Sequence, residues 1–370
     1  LKKLNIFLLA AFMLVLGTAL SGCAGGQNSD TPENTEPAET AQEKLKIYTT
    51  IYPLEDFTTK IGGEFVEVES IYPPNSDAHT YEPTSKTMVS IADSDAFIYS
   101  GVGLEGFAEK AKDTLKGENV KIIAAGEGIE LLSTEDAAHD HEGEHSHADD
   151  HAHEDEHSHE DEHSHEDEHS HEDEHSHEDE HSHEDEHSHD GHAHDHGDED
   201  PHIWIDPILS IQIAENIKNA LTELQPQGEE IFNQNFEELK NNLEKLDSEF
   251  SQVIGESEKK EILVSHAAYG YWENRYGLQQ ISVLGLSPTQ EPSQRQLQNI
   301  IETAKEHNLQ YVIFEGNVSS KITEIVKNEI NAEALTLYNL ESMSEEDLQN
   351  GEDYFSIMER NLETLRKALN

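Results

Sequence analysis

Three histidines in this chain stand beside structured runs, one following a strand-like run, one ahead of a helical pattern and one at the end of a strand. His79 lies in Tyr-Pro-Pro-Asn-Ser-Asp-Ala-His-Thr-Tyr-Glu-Pro, His202 in Asp-Pro-His-Ile-Trp-Ile-Asp-Pro, and His266 closes Ile-Leu-Val-Ser-His. Singly, a histidine in such a setting is most often packed or solvated. Together they point to metal, because a borderline cation such as zinc is held by three or four converging nitrogen, sulfur or oxygen donors. Of 25 histidines only four lie outside one low-complexity tract. The fourth, His307, sits in a polar helical run and reads as a surface residue. Glu315, ending Val-Ile-Phe-Glu-Gly, is the carboxylate that the same strand-end reasoning adds.

Such donors need elements to aim them. Short β-rich runs near 45–51, 65–71, 95–100 and 120–123 alternate with helical patterns near 53–61, 84–92 and 104–115. A second set of strands falls near 261–265, 280–284, 311–314 and 334–338, with helices near 267–276, 293–307, 318–330 and 353–369. This alternation predicts an α/β fold with mainly parallel sheets covered by helices on both faces. In such sheets ligands bind outside the carboxyl ends of the strands, where the three histidines fall. Between the sets, Phe232, Phe236, Leu239, Leu243, Leu246 and Phe250 recur at three- and four-residue steps, the stripe of one long amphipathic helix. The expected plan is two lobes, 44–227 and 258–370, joined by a rigid helix over 228–257.

The other histidines crowd into residues 134–200, which hold 21 histidines, 30 acidic residues and no Lys or Arg. Within it the hexamer His-Glu-Asp-Glu-His-Ser runs six times from His153 to Ser188. With no apolar position to stack, the repeat predicts a disordered loop inserted in the first lobe. Its composition is a metal-binding one, since imidazole suits zinc, copper, nickel and iron. Binding there would be weak and multiple, and lost as imidazoles protonate near about pH 6.5. The tract reads as a collector rather than as the specific site.

The ends address location. Lys2 and Lys3 precede the apolar stretch 6–16, and Leu20-Ser21-Gly22-Cys23 follows, a secretory pattern whose ending resembles a bacterial lipobox. Residues 1–22 are therefore expected to be a signal peptide, Cys23 the lipidated residue, and 23–43 a flexible tether. The protein is expected to be exported and lipid-anchored at the outer face of the cytoplasmic membrane. Cys23 is the only cysteine, so the fold is expected to be held by its core without disulfides. A net charge of −56 excludes a broad basic face, and with it nucleic acid as a partner.

The motifs around the three histidines, with Gly101-Val102-Gly103-Leu104-Glu105 and Ser287-Pro288-Thr289-Gln290-Glu291-Pro292-Ser293, resemble the zinc and manganese substrate-binding lipoproteins of ABC transporters. The resemblance runs from about residue 45 to the C-terminus, the tract apart, and even the tract matches a His/Asp/Glu-rich loop that many zinc-type members carry. It implies a bilobed monomer that holds Zn2+ in its cleft as transported ligand and partners a membrane permease. It carries over His79, His202 and His266 as ligands, with Glu341 of Leu340-Glu341-Ser342 as the fourth. Glu315 and water compete with Glu341 for that position. A third histidine, where manganese-type relatives often have a carboxylate, tilts the choice to zinc.

Other classes fit less well. A zinc hydrolase would need an open coordination position and a general base, and no His-Glu-x-x-His occurs outside the repeats, so no enzyme is expected. Gly101-Val102-Gly103-Leu104-Glu105-Gly106 satisfies the dinucleotide pattern, but Glu105 would oppose a pyrophosphate there. A surface adhesin or a metal buffer remains the alternative to uptake.

Overall fold

The computed structural model describes residues 44–133, 199–316 and 320–370. The expected signal peptide, Cys23, the tether and the tract through residue 198 lie outside the described residues. Two strand-rich runs of β-branched and aromatic residues set the frame. In the first, β1 (Leu45–Thr49), β2 (Val66–Ser70), β3 (Ala96–Tyr99) and β4 (Lys121–Ala124) form a parallel sheet in the order β2-β1-β3-β4. Ile47 pairs with Val68 on one side and Ala96 on the other. Helices α1 (Tyr52–Gly62), α2 (Ser85–Ala92) and α3 (Ala108–Leu115) connect the strands. The last starts four residues later than the sequence pattern predicts, after a turn in which Gly101 and Gly103 have positive φ.

A two-residue antiparallel ribbon, β5 (Leu132–Ser133) with β6 (Glu199–Asp200), joins the ends of the histidine tract. The tract thus leaves and re-enters the fold at neighbouring points, two residues before His202. After a 3-10 turn over Ile203–Ile205 comes α4 (Pro207–Leu224). Asp206 caps it by accepting from the backbone N–H groups of Ile208 and Leu209 at 2.8 and 3.1 Å, and Pro207 opens its first turn.

Helix α5 (Glu229–Glu256) spans 28 residues, about 42 Å at 1.5 Å per residue. Its buried stripe adds Val253 and Ile254 to the six residues of the sequence pattern. Phe232 meets Phe65 of the first sheet's half edge-on at 5.3 Å, and Phe250 meets Trp272 of the other half at 4.8 Å. One apolar face therefore serves both halves, which stiffens their junction.

The second sheet uses β7 (Glu261–Val264), β8 (Gln279–Ser282), β9 (Tyr311–Glu315) and β10 (Glu333–Leu337), all parallel, in the order β10-β9-β7-β8. Helices α6 (Gly270–Tyr276), α7 (Gln294–Glu306), α8 (Lys321–Ile330), α9 (Glu345–Asn350) and α10 (Tyr354–Ala368) complete this half. Residues 267–269, predicted as helix, instead form the turn that carries the chain away from β7. Read in chain order, both sheets have the same plan, with the first strand flanked by the second and third. The strand order thus reverses between β1 and β3 and again between β7 and β9, where open α/β sheets form crevices.

Candidate metal centre

Each of the four predicted donors is aimed by its own hydrogen bonds, local for His79 and His202 and reaching across the fold for His266 and Glu341. Asp77 accepts from His79 N–H at 2.9 Å and from Thr80 Oγ1 at 3.0 Å, an Asx turn that presents the His79 ring. Asp200 Oδ1 accepts from both His202 N–H (2.9 Å) and Nδ1 (2.7 Å). His266 follows β7, and its Nδ1 bonds to Oε1 of Glu315 at the end of the neighbouring β9. Glu341 is held by Asn339 Nδ2, donating to Oε1 at 2.9 Å, and by Ala78 N–H, donating to Oε2 at 3.0 Å. Leu340, immediately before it, has φ 64°, a left-handed backbone unusual for a branched side chain.

Carboxylates take the Nδ1–H of His202 and of His266, so in both rings Nε2 is the free-pair nitrogen and faces inward. The two Nε2 atoms lie 3.4 Å apart. Glu341 Oε1 is 3.4 Å from His79 Nε2, 3.8 Å from His202 Nε2 and 4.0 Å from His266 Nε2. Zinc–donor bonds of 2.0–2.1 Å in a tetrahedron set an edge of about 3.3 Å. Two of these spacings, at 3.4 Å, meet that edge, and the other two, at 3.8 and 4.0 Å, exceed it by about 0.5 and 0.7 Å. All four ligand atoms fall within 4.8 Å of one another, and all four residues are buried. Among the described residues this is the one such group of three or more.

The electrostatics differ within the group. Burial depresses the pKa of His202, against the pull of Asp200, so its imidazole is kept neutral. Burial also opposes the charge on His266, but Glu315 and then Glu341 outweigh it and raise the pKa. For Glu341 burial alone would raise the pKa; the hydrogen bond and charge of His79, then His266 and His202, hold it down at about 2. A carboxylate kept ionised among imidazoles is an arrangement chemically suited to a cation.

The structure brings His79, His202, His266 and Glu341 together and places Glu315 behind His266 rather than beside the other three donors. His307 bonds to Glu261 on the surface. The residues that sequence reasoning missed are the orienting ones. Asp77 and Asp200 share a readable signal, an Asp two residues before the histidine; Asn339 and the Glu315–His266 pairing have none. The Gly-x-Gly-x-x-Gly turn is occupied by its own glutamate: Glu105 accepts from Ser100 N–H and Thr50 Oγ1, both at 2.7 Å.

The halves are also cross-tied. Tyr271, Trp272 and Tyr354 donate to backbone carbonyls of Asp200, Ile205 and Trp204 at 2.8 Å each, and Arg275 pairs with Asp206 at 2.5 Å. In the other direction Tyr52 N–H donates to Glu341 O at 3.2 Å and Ser342 Oγ to Ser76 O at 2.8 Å.

Residues 47–368 match the family model described as zinc-uptake complex component A, periplasmic. The chain belongs to the ZnuA family. It is 30% identical over 369 residues to the high-affinity zinc uptake system protein ZnuA of Bacillus subtilis, covering 100% of this chain and 98% of that protein. It is also 30% identical over 331 residues to the zinc-binding lipoprotein AdcA of Streptococcus pneumoniae, covering 89% of this chain but 56% of AdcA. The chain thus spans little more than half the length of such AdcA relatives. Among solved structures, the Zn(II)-bound ZnuA-like domain of Streptococcus pneumoniae AdcA has a TM-score of 0.64 and 28% identity, covering 88% of this chain and 99% of that domain. The fold, two parallel sheets flanked by helices and bridged by a long helix, is that of the ZnuA family, which is a transport rather than an enzyme family.

Proposed function

We propose that this protein captures Zn2+ outside the cytoplasmic membrane, between lobes 44–227 and 258–370, and passes it to an ABC-type uptake permease. The observation that carries the reading is the set of His79, His202, His266 and Glu341 donors, all buried and within 4.8 Å of one another, with the carboxylate held ionised. Three nitrogens and one oxygen suit zinc; a harder cation such as manganese is better served by more carboxylate or water. Copper competes on affinity alone and must be disfavoured by geometry. The histidine tract serves as a collector that raises the local zinc concentration. Residues 1–22 act as the export signal, Cys23 carries lipid, and 23–43 tether a monomer to the membrane face. Among the described residues no helix is long and apolar enough to cross a membrane.

The test is chelator-competition calorimetry on the protein with 134–198 deleted, beside the same protein carrying His202→Ala. One tight zinc per chain that disappears in the variant is the expected result. A variant that binds as tightly as its parent would sink the assignment, and loss of all tight binding on deleting the tract would make the protein a buffer instead.

A further inference from the structure

Glu315 orients His266 with one oxygen only. Its Oε1 accepts from His266 Nδ1, while Oε2 is buried and has no hydrogen-bond partner among the described residues. The same holds for a donor nearby: the hydroxyl oxygen of Tyr269 is buried without a partner. Tyr269 leaves the strand end three residues after His266 and is 1% exposed. Its ring is packed on Trp272 at 4.9 Å, and its N–H donates to Gln280 Oε1 at 3.2 Å, so the phenol is held in place by groups on α6 and β8. Burial, followed by the negative charges of Glu315 and Glu341, pushes the phenol far above its usual pKa. The phenol therefore stays protonated, an O–H donor in the field of the Glu315 carboxylate.

Buried polar groups are rarely left unpaired in native proteins. Here a buried donor and a buried acceptor, each without a partner among the described residues, both adjoin His266: Tyr269 follows it by three residues, and Glu315 is bonded to its ring from the end of the neighbouring β9. The last torsion of a glutamate is broad and two-fold, so Oε2 can turn toward a donor without leaving a rotamer well. The geometry points to Tyr269 as a positioning residue for zinc capture, donating its hydroxyl proton to Glu315 Oε2 and so fixing the carboxylate that holds the His266 ring. The relay Tyr269–Glu315–His266 rests on the reading of His266 as a zinc ligand. It gives His266, whose partner comes from another strand, the rigidity that His202 draws from an aspartate two residues away.

A double-mutant cycle on the full chain tests it, with zinc itself as the probe in competition with a chelator. Tyr269→Phe removes one oxygen and keeps the ring; it should weaken zinc binding roughly tenfold, the lower end of the effect of outer-shell partners. In a Glu315→Gln background the same change should add nothing further, because the hydroxyl acts only through that carboxylate. A purely structural role would instead give losses that add. The wild-type zinc-loaded protein should also show one slowly exchanging phenolic proton in its NMR spectrum with contacts to the Trp272 ring, a reading that needs no variant to fold. Unchanged affinity in Tyr269→Phe, additive losses, or no protected phenolic proton overturns the relay while leaving zinc capture standing. Absence of a tight zinc site in the wild type overturns both.

Discussion

At the crevice of the first sheet, between β1 and β3, Glu105 turns inward and is consumed by Thr50, Ser100 N–H and the Ser100 hydroxyl. At the matching crevice of the second sheet, between β7 and β9, Glu315 turns onto an imidazole. The strand orders are the same and both carboxylates are buried. The donor decides the outcome. A hydroxyl or amide ends the chain of interactions at the carboxylate, and the crevice is plugged. An imidazole has a second nitrogen, so the carboxylate's influence is passed through the ring and emerges as an aimed, electron-rich Nε2. One topology therefore yields a structural knot in one half and half of the candidate metal centre in the other.

The comparison breaks most sharply at His266. Replacing it by Ala should cost more than about 100-fold in zinc affinity, beyond the roughly 10–100-fold range of outer-shell changes; an affinity within threefold of wild type in chelator competition would contradict the assignment. The two glutamates should then separate. Glu315→Gln is expected to lose about 10–100-fold in affinity. Glu105→Gln should leave affinity within about threefold but lower unfolding stability by about 1–3 kcal/mol, because it disturbs a buried acceptor. Urea titration beside zinc competition on both variants would show whether the two effects trade places.

A smaller effect follows from pH. Zinc needs neutral Nε2, and His266 holds its proton above the ordinary histidine value of about 6.5. Affinity should therefore fall as pH drops through that raised value, by at most about tenfold per unit for one displaced proton. With Glu315→Gln the support for the charged ring is gone, and the decline should begin at lower pH. A decline that begins at the same pH in both proteins would deny Glu315 its role. Smallest of all is Gly270→Ala. A Cβ there would meet Asp200 Oδ2 at 2.5 Å and displace the carboxylate behind His202. A loss of about 3–10-fold is expected, at or below the lower end of outer-shell effects; an unchanged zinc isotherm would show that Asp200 can move without consequence.

Much of this was legible in the residues themselves. Periodicity located all eight strands of the two sheets to within a few residues, and the long helix by its Phe and Leu stripe. The three histidines were legible from their places beside strand and helix ends, whereas Glu341 came only from the family resemblance of Leu340-Glu341-Ser342. What stayed hidden was non-local. The ribbon β5–β6 pairs residues separated by the whole tract, and no periodicity marks a two-residue strand. Glu315 looked like a ligand because it ends a strand, yet which strand lies beside β7 is a property of sheet order that a single chain does not display. The positive φ of Leu340 was equally invisible, since Gly or Asn usually signals such a turn.

Leu340 also sets two kinds of fitness against each other. A left-handed backbone at a non-glycine residue carries about 1–2 kcal/mol of steric penalty, and here it aims Glu341 into the cluster. Glycine at this position would relax the penalty and loosen the aim at once. A gain in the sturdiness of the fold at this one position would therefore be set against the firmness with which Glu341 is held.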